Sequence, residues 1–158
     1  MQTRDGKQHR AILDGRWEHH APALAPNVGL MRTGVVAFAA QHGASPSAQT
    51  DIALAVSEAL TNAVLHAFVQ RPAGTMSLLA EAAVDALLVR ITDDGSGMGQ
   101  RVDSPGMGLG LNLIARLTSS LEFLPGPRAT GTELQMRFDA PGMRATARGA
   151  IRPTDGGL

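Results

Sequence analysis

Apolar and polar residues recur along the chain in two rhythms. Residues 26–43 and 45–68 repeat apolar side chains every three or four positions, the mark of helices with one buried side. TMSLLAEAA (75–83), ALLVRITD (86–93) and GTELQMRF (131–138) alternate with a period of two, as half-buried strands do. RWEHHA, from Arg16, reads as a short first strand. Pro26 and Asn27 signal the start of a helix that closes at Gly43, and Ser45-Pro46-Ser47 opens a second that runs to about Phe68. After the turn Arg71-Pro72-Ala73-Gly74, two strands meet tightly at Val84-Asp85 and predict an antiparallel hairpin. A glycine-rich loop from Asp93 to Gly108 leads into a third helix, LGLNLIARLT, and PGPRA joins the last two strands, SSLEFL and GTELQMRF.

The order βααββ, loop, αββ contains no regular βαβ alternation. It predicts an α+β fold, a two-layer sandwich with helices on one face of a mixed, mostly antiparallel sheet. The patterned region spans residues 16–139. Residues 1–15 are polar and residues 140–158 are rich in Gly, Pro, Ala and Arg without a period, so both are expected to be flexible.

Composition narrows the classes. A chain of 158 residues suits one domain with a real core. It has no cysteine, which removes disulfides, thiolate zinc sites and cysteine nucleophiles and fits a reducing cytoplasm. A formal net charge of zero without basic runs speaks against direct nucleic-acid binding. No apolar stretch approaches the roughly 20 residues of a membrane span, and the N-terminus lacks a signal-peptide core. A cytoplasmic protein with no membrane partner is the expectation.

Three features carry candidate chemistry. On a wheel of the second helix, Ile52, Ala55, Val56, Ala59, Leu60, Ala63, Val64 and Ala67 share an apolar side, and Glu58, Asn62 and His66 form a column along its edge, flanked by Leu54 and Leu65. Glu58 is the one charged side chain between Ile52 and Phe68, and a carboxylate edged by apolar groups needs a cation, a ligand or a solvent-filled cleft. The plain structural alternative is a surface helix rim with weak mutual support at i, i+4. In ALLVRITD, Asp93 falls on the same face as Leu87, Val89 and Ile91, and Thr132 falls on the face of Leu134, Met136 and Phe138, so the two could share a pocket floor. An ordinary aspartate–glycine turn is the alternative for Asp93. Gly106-Met107-Gly108-Leu109-Gly110 opens the third helix, where backbone N–H groups and the positive helix end favour a phosphate, although glycines also occur there for packing. No GxxxxGK[ST] loop is present, and no GxGxxG follows a strand in a βαβ unit.

SEALTNAVLHAF (57–68), ITDDGSGMG (91–99), GMGLGLNLIARL (106–117) and GTELQMRF, in this order, resemble the N box and glycine boxes of the GHKL or Bergerat-fold ATPase superfamily, and in detail its small bacterial branch of anti-sigma factor serine/threonine kinases. The resemblance implies ATP and Mg²⁺ as cofactors. By it, Asn62 would hold Mg²⁺ and Glu58 would be the catalytic residue that orients or deprotonates the attacking hydroxyl. Asp93 would accept a hydrogen bond from the adenine amino group, where guanine presents a carbonyl instead. Thr132 would support Asp93, Gly97 would let adenine lie close, and Gly108 and Gly110 would offer backbone contacts to phosphate. Gly95, Met98, Gly106 and Leu109 fall in the same nucleotide-binding boxes. The lid from about Met98 to Pro105 is short for the family, and its one cation, Arg101, either reaches the γ-phosphate or stays solvated. His66 receives no role.

The implied function is a regulatory serine/threonine kinase of a partner-switching system, which sequesters a sigma factor and phosphorylates a STAS-type antagonist. A homodimer is expected from the same resemblance. The alternative is a nucleotide-gated binding module with little kinase activity. The catalytic domain of a histidine kinase is disfavoured because no helical hairpin carries a phosphoacceptor histidine.

Overall fold

The computed structural model describes residues 12–13, 15–97, 107–128 and 130–145. Strands β1 (Ile12–Leu13), β2 (Arg16–Pro22), β3 (Thr75–Ala83), β4 (Ala86–Asp93), β5 (Ser120–Pro125) and β6 (Thr132–Asp139) form a 6-stranded sheet in the order β1-β2-β3-β4-β6-β5. The sheet, expected as mostly antiparallel, is antiparallel in every described pairing. Helices α1 (Ala25–Gln41), α2 (Pro46–His66) and α3 (Met107–Leu117) supply the second layer.

Alternation builds the interface between the layers. Met76, Leu78 and Ala80 of β3, Leu87, Val89 and Ile91 of β4, and Leu134, Met136 and Phe138 of β6 are all buried. They meet Met31, Val35 and Phe38 of α1, Ile52, Val56 and Leu60 of α2, and Ile114 of α3 in one core. Intervening residues such as Arg90, Glu133 and Arg137 lie on the open face, where Arg90 and Glu133 pair at 3.7 Å.

Local chemistry sets the element ends. The Ser45 hydroxyl caps α2 by accepting from the Ala48 N–H at 3.1 Å, and Pro46 follows in the first turn, where its missing donor costs nothing. Gly43, with φ at +99°, ends the excursion after α1. Asp85 takes φ of 53° in the β3–β4 turn.

The chain stays docked past residue 139, beyond the limit that periodicity suggests. Ala140 and Met143 are buried. The Ala140 N–H donates to the Asp85 carbonyl at 2.9 Å, the Gly142 N–H to Asp85 Oδ1 at 2.9 Å, and the Arg144 N–H to the His42 carbonyl at 2.8 Å. At the other end, Ile12 and Leu13 pair with β2, so the sheet begins before Arg16. Among the described residues, no helix is long and apolar enough to cross a membrane.

Trp17 anchors β2 to α1. A Cβ added at Gly34, in the middle of α1, would lie 2.3 Å from Trp17 Cζ2. Glycine inside a helix costs about 1 kcal/mol relative to alanine, and here it makes room for a rigid indole. Gly34→Ala is therefore expected to destabilise the fold by about 1–3 kcal/mol through overpacking, against its gain in helix propensity. Urea unfolding checks this, and a raised midpoint would refute the Trp17–Gly34 contact.

Candidate functional site

The candidate site lies where α2, α3 and the paired ends of β4 and β6 meet. Asp93 and Thr132 are register partners across β4 and β6, the last residues of the shared pairing at that end. Both point into the layer interface and are 4% and 2% exposed. Above them the α2 column presents Asn62, 6% exposed, while Glu58 and His66 are half-buried. Asn62, Asp93 and Thr132 line a cavity of about 20 Å³ together with Ala59, Ala63, Leu111 and Phe123.

Hydrogen bonding at this floor is incomplete. Asp93 Oδ1 accepts from the Gly95 N–H at 3.0 Å. Asn62 Nδ2 and Thr132 Oγ1 are buried and have no partner among the described residues. A buried polar group left without a partner costs about 1–3 kcal/mol, so two of them beside a carboxylate mark a place where a polar guest is favoured. The cavity admits a water or a small exocyclic group, since a water needs roughly 10–15 Å³. It can be the floor of a nucleotide site and no more than the floor.

The turn after Asp93 is held from two sides. Ser96 donates from its N–H and its hydroxyl to the Ala67 carbonyl, at 2.9 and 3.0 Å, which ties the turn to the C-terminal end of α2. Asp94 Oδ1 accepts from the Thr75 N–H at 2.8 Å. A Cβ at Gly95 would lie 2.3 Å from the Ala67 carbonyl oxygen, so glycine is required there by packing alone. The same is true of Gly131, where φ is +78° and a Cβ would lie 1.8 Å from the Asp93 carbonyl oxygen.

Helix α3 begins at Met107, which puts Gly108, Leu109 and Gly110 in its first turn, where the N–H groups before residue 110 lack intrahelical acceptors. Its two described glycines differ. A Cβ at Gly110 would lie 2.2 Å from Glu58 Oε1 and 3.2 Å from Asn62 Nδ2, so α3 crosses directly over the polar column. A Cβ at Gly108 would meet nothing within 4 Å among the described residues, so packing against them does not call for glycine there. Leu109 is 80% exposed.

The structure thus brings together Glu58, Asn62, Asp93, Thr132, Gly95 and Gly110, and sets Gly97, Gly108 and Leu109 in the adjoining turn and helix start. Met98, Arg101 and Gly106 lie outside the described residues, as does the whole segment from Met98 to Gly106. His66 shares the column without an assigned contact. Gly131, Leu111 and Phe123 belong to the site but were not singled out from the sequence. Glycine before Thr132 was the available signal for the first; nothing in the pattern marked the other two. A larger cavity of about 390 Å³, lined by His20, Ser77, Thr92, Asp93, Asp94 and Arg128 among others, opens beside the same end of β4, toward the outward-facing residues of β3 and β4.

The donor set also bears on metal. Among the described residues no three His, Asp or Glu side chains converge. The described residues therefore offer no all-protein cage for an ion, whereas Mg²⁺, which takes as few as one or two protein oxygens and completes its shell with phosphate and water, would be compatible with a single oxygen from the Asn62 carboxamide.

The chain is similar to known proteins. An anti-sigma F factor of Clostridium beijerinckii is 27% identical over 137 residues, covering 80% of this chain and 95% of that protein. The serine-protein kinase RsbW of Listeria innocua is 37% identical over 75 residues, 48% of each chain, so this chain matches about half that kinase's length. Among solved structures, that of the RsbU and RsbW domains of Rv1364c from Mycobacterium tuberculosis superposes with a TM-score of 0.56 at 22% identity, over 78% of this chain and 32% of that one. Residues 21–138 match the histidine kinase-like ATPase domain across nearly all of the layered core, and the chain belongs to that family.

Proposed function

We propose that this chain binds ATP with Mg²⁺ and acts as a regulatory serine/threonine protein kinase that sequesters a sigma factor and phosphorylates its antagonist. The observation that carries the nucleotide part is the convergence of Asp93 with the unpartnered Asn62 Nδ2 and Thr132 Oγ1 at one buried floor. The anti-sigma and kinase parts draw on the names of the similar Clostridium and Listeria proteins.

In this reading Asp93 accepts from the adenine amino group, while the Gly95 N–H helps to hold the carboxylate in place. Guanine offers an acceptor at that position, and a buried acceptor opposite another is strongly disfavoured. The open N–H groups of the first α3 turn face negative charge favourably. Mg²⁺ held through Asn62 would supply neutralisation of the phosphate charge. Glu58 takes the proton of the attacking serine or threonine hydroxyl as its oxygen bonds to the γ-phosphorus, and ADP departs with the electrons of the broken P–O bond. The substrate then carries the phosphoryl group. The second reading, a nucleotide-gated binding module, keeps the Asp93 floor and dispenses with proton transfer at Glu58.

Asp93→Asn is expected to weaken ATP binding by about tenfold or more, since hydrogen bonds to charged groups contribute about 1.5–3 kcal/mol. Calorimetry checks it, and an unchanged affinity would show that adenine sits elsewhere. Glu58→Ala is expected to leave ATP affinity within a few-fold while phosphotransfer falls by roughly 10²–10⁴. The assay is transfer of label from γ-labelled ATP to small antagonist proteins encoded beside this chain. Transfer by wild type that survives in the variant would remove Glu58 as the base, and binding without any transfer by wild type would favour the module.

A further inference from the structure

We propose that Gly110 is the positioning residue for Glu58: it is glycine because the first turn of α3 crosses the Glu58 carboxylate with no space for a side chain. This inference deepens the kinase reading and rests on it for its functional half. A Cβ at 110 would stand 2.2 Å from Glu58 Oε1, closer than two such atoms can come, and a tight 3.0 Å from its Cδ. The carboxylate is the movable partner, because it ends a flexible side chain while position 110 is fixed in a helix. Any side chain at 110 therefore displaces the Glu58 oxygens from their place beside the α3 start. Asn62 Nδ2, at 3.2 Å from the same point, is crowded less and belongs to a shorter side chain.

Gly108 gives the contrast. It occupies the same helical turn, yet its Cβ position is open among the described residues. One turn of α3 thus has a glycine whose missing side chain faces open space and another whose missing side chain faces the carboxylate. The N–H groups of that turn are the ones turned toward phosphate in the proposed site, so the turn that would hold the phosphates also sets the position of the proton acceptor. A shift of α3 along α2 would change both at once.

Gly110→Ala keeps the backbone N–H and removes only the space. The first arm of the test is a stability cycle that needs no activity. Gly110→Ala should be less favourable for the urea midpoint in the otherwise native protein than when Glu58 is already alanine, because the obstructing carboxylate is then gone and the gain in helix propensity stands alone. An equal change in both backgrounds would overturn the contact. The second arm measures MgATP affinity by calorimetry and the rate of phosphate release from MgATP. Gly110→Ala should keep affinity within about threefold and lower kcat by tenfold or more, within the roughly 10²–10⁴ expected for loss of a general base. In a Glu58→Asp background, whose carboxylate is withdrawn by one methylene, the same substitution should cost under about threefold further in kcat. A loss of affinity with kcat unchanged, or equal losses of kcat in both backgrounds, would assign Gly110 to phosphate contact alone and overturn the proposal. If wild type neither releases phosphate nor transfers it to an antagonist protein, the catalytic reading fails while the stability cycle still decides whether Gly110 sets Glu58.

Discussion

The register between β4 and β6 is the constraint on which the site depends. It sets Asp93 opposite Thr132 at the end of two strands whose other inward residues are Leu87, Val89, Ile91, Leu134, Met136 and Phe138. Because side chains alternate with a period of two, a slip by one residue would turn Asp93 outward and bring Thr92 into the core. The apolar residues hold the register, and the polar pair is carried to the interior by it. Burial of the carboxylate is offset by the Gly95 N–H, which engages Asp93, while the Thr132 hydroxyl and the Asn62 amide that α2 brings over the same point stay without partners among the described residues. Hydrophobic packing thus places polar groups whose hydrogen bonding it does not complete.

The glycines divide along the same line. Gly34, Gly95 and Gly131 are explained by neighbours that a side chain would strike, namely an indole ring, the end of α2 and the Asp93 backbone. These glycines set distances between elements. Gly110 is spatially constrained too, but the atom it spares is the carboxylate oxygen of Glu58, so its constraint is on a chemical group. Gly108 meets no described neighbour, and its place in the first turn of α3 leaves its backbone open to approach. A glycine-rich motif of this kind mixes packing needs with ligand needs, and the sequence cannot separate the two.

Much of this was readable beforehand because it rests on periodicity. Alternation in ALLVRITD and GTELQMRF put Asp93 and Thr132 on inward faces, and the α2 wheel put Glu58 and Asn62 on one edge. Ser45 announced the α2 cap that the structure contains. Depth was not readable. The wheel sets Asn62 at a rim, yet α3 covers that rim with its close approach at Gly110, and Asn62 is 6% exposed. The docking of residues 140–144 was hidden for another reason: it runs through backbone groups, one Asp85 carboxylate oxygen and the isolated apolar residues Ala140 and Met143, which leave no periodic pattern. Strand β1 pairs only Ile12 and Leu13, too few residues to show alternation. Gly131 gave a signal without a meaning, since its positive φ appears only with the turn formed.

The central claim is that the floor formed by Asp93 and Thr132 receives the adenine amino edge of ATP. It is tested most directly by titrating the protein, in the presence of Mg²⁺, with ATP and with GTP in the calorimeter. A buried acceptor at Asp93 predicts saturable ATP binding and GTP binding weaker by at least roughly tenfold, because the guanine carbonyl would leave two buried acceptors facing each other. Equal affinity for the two nucleotides, or no binding of ATP, would contradict the account.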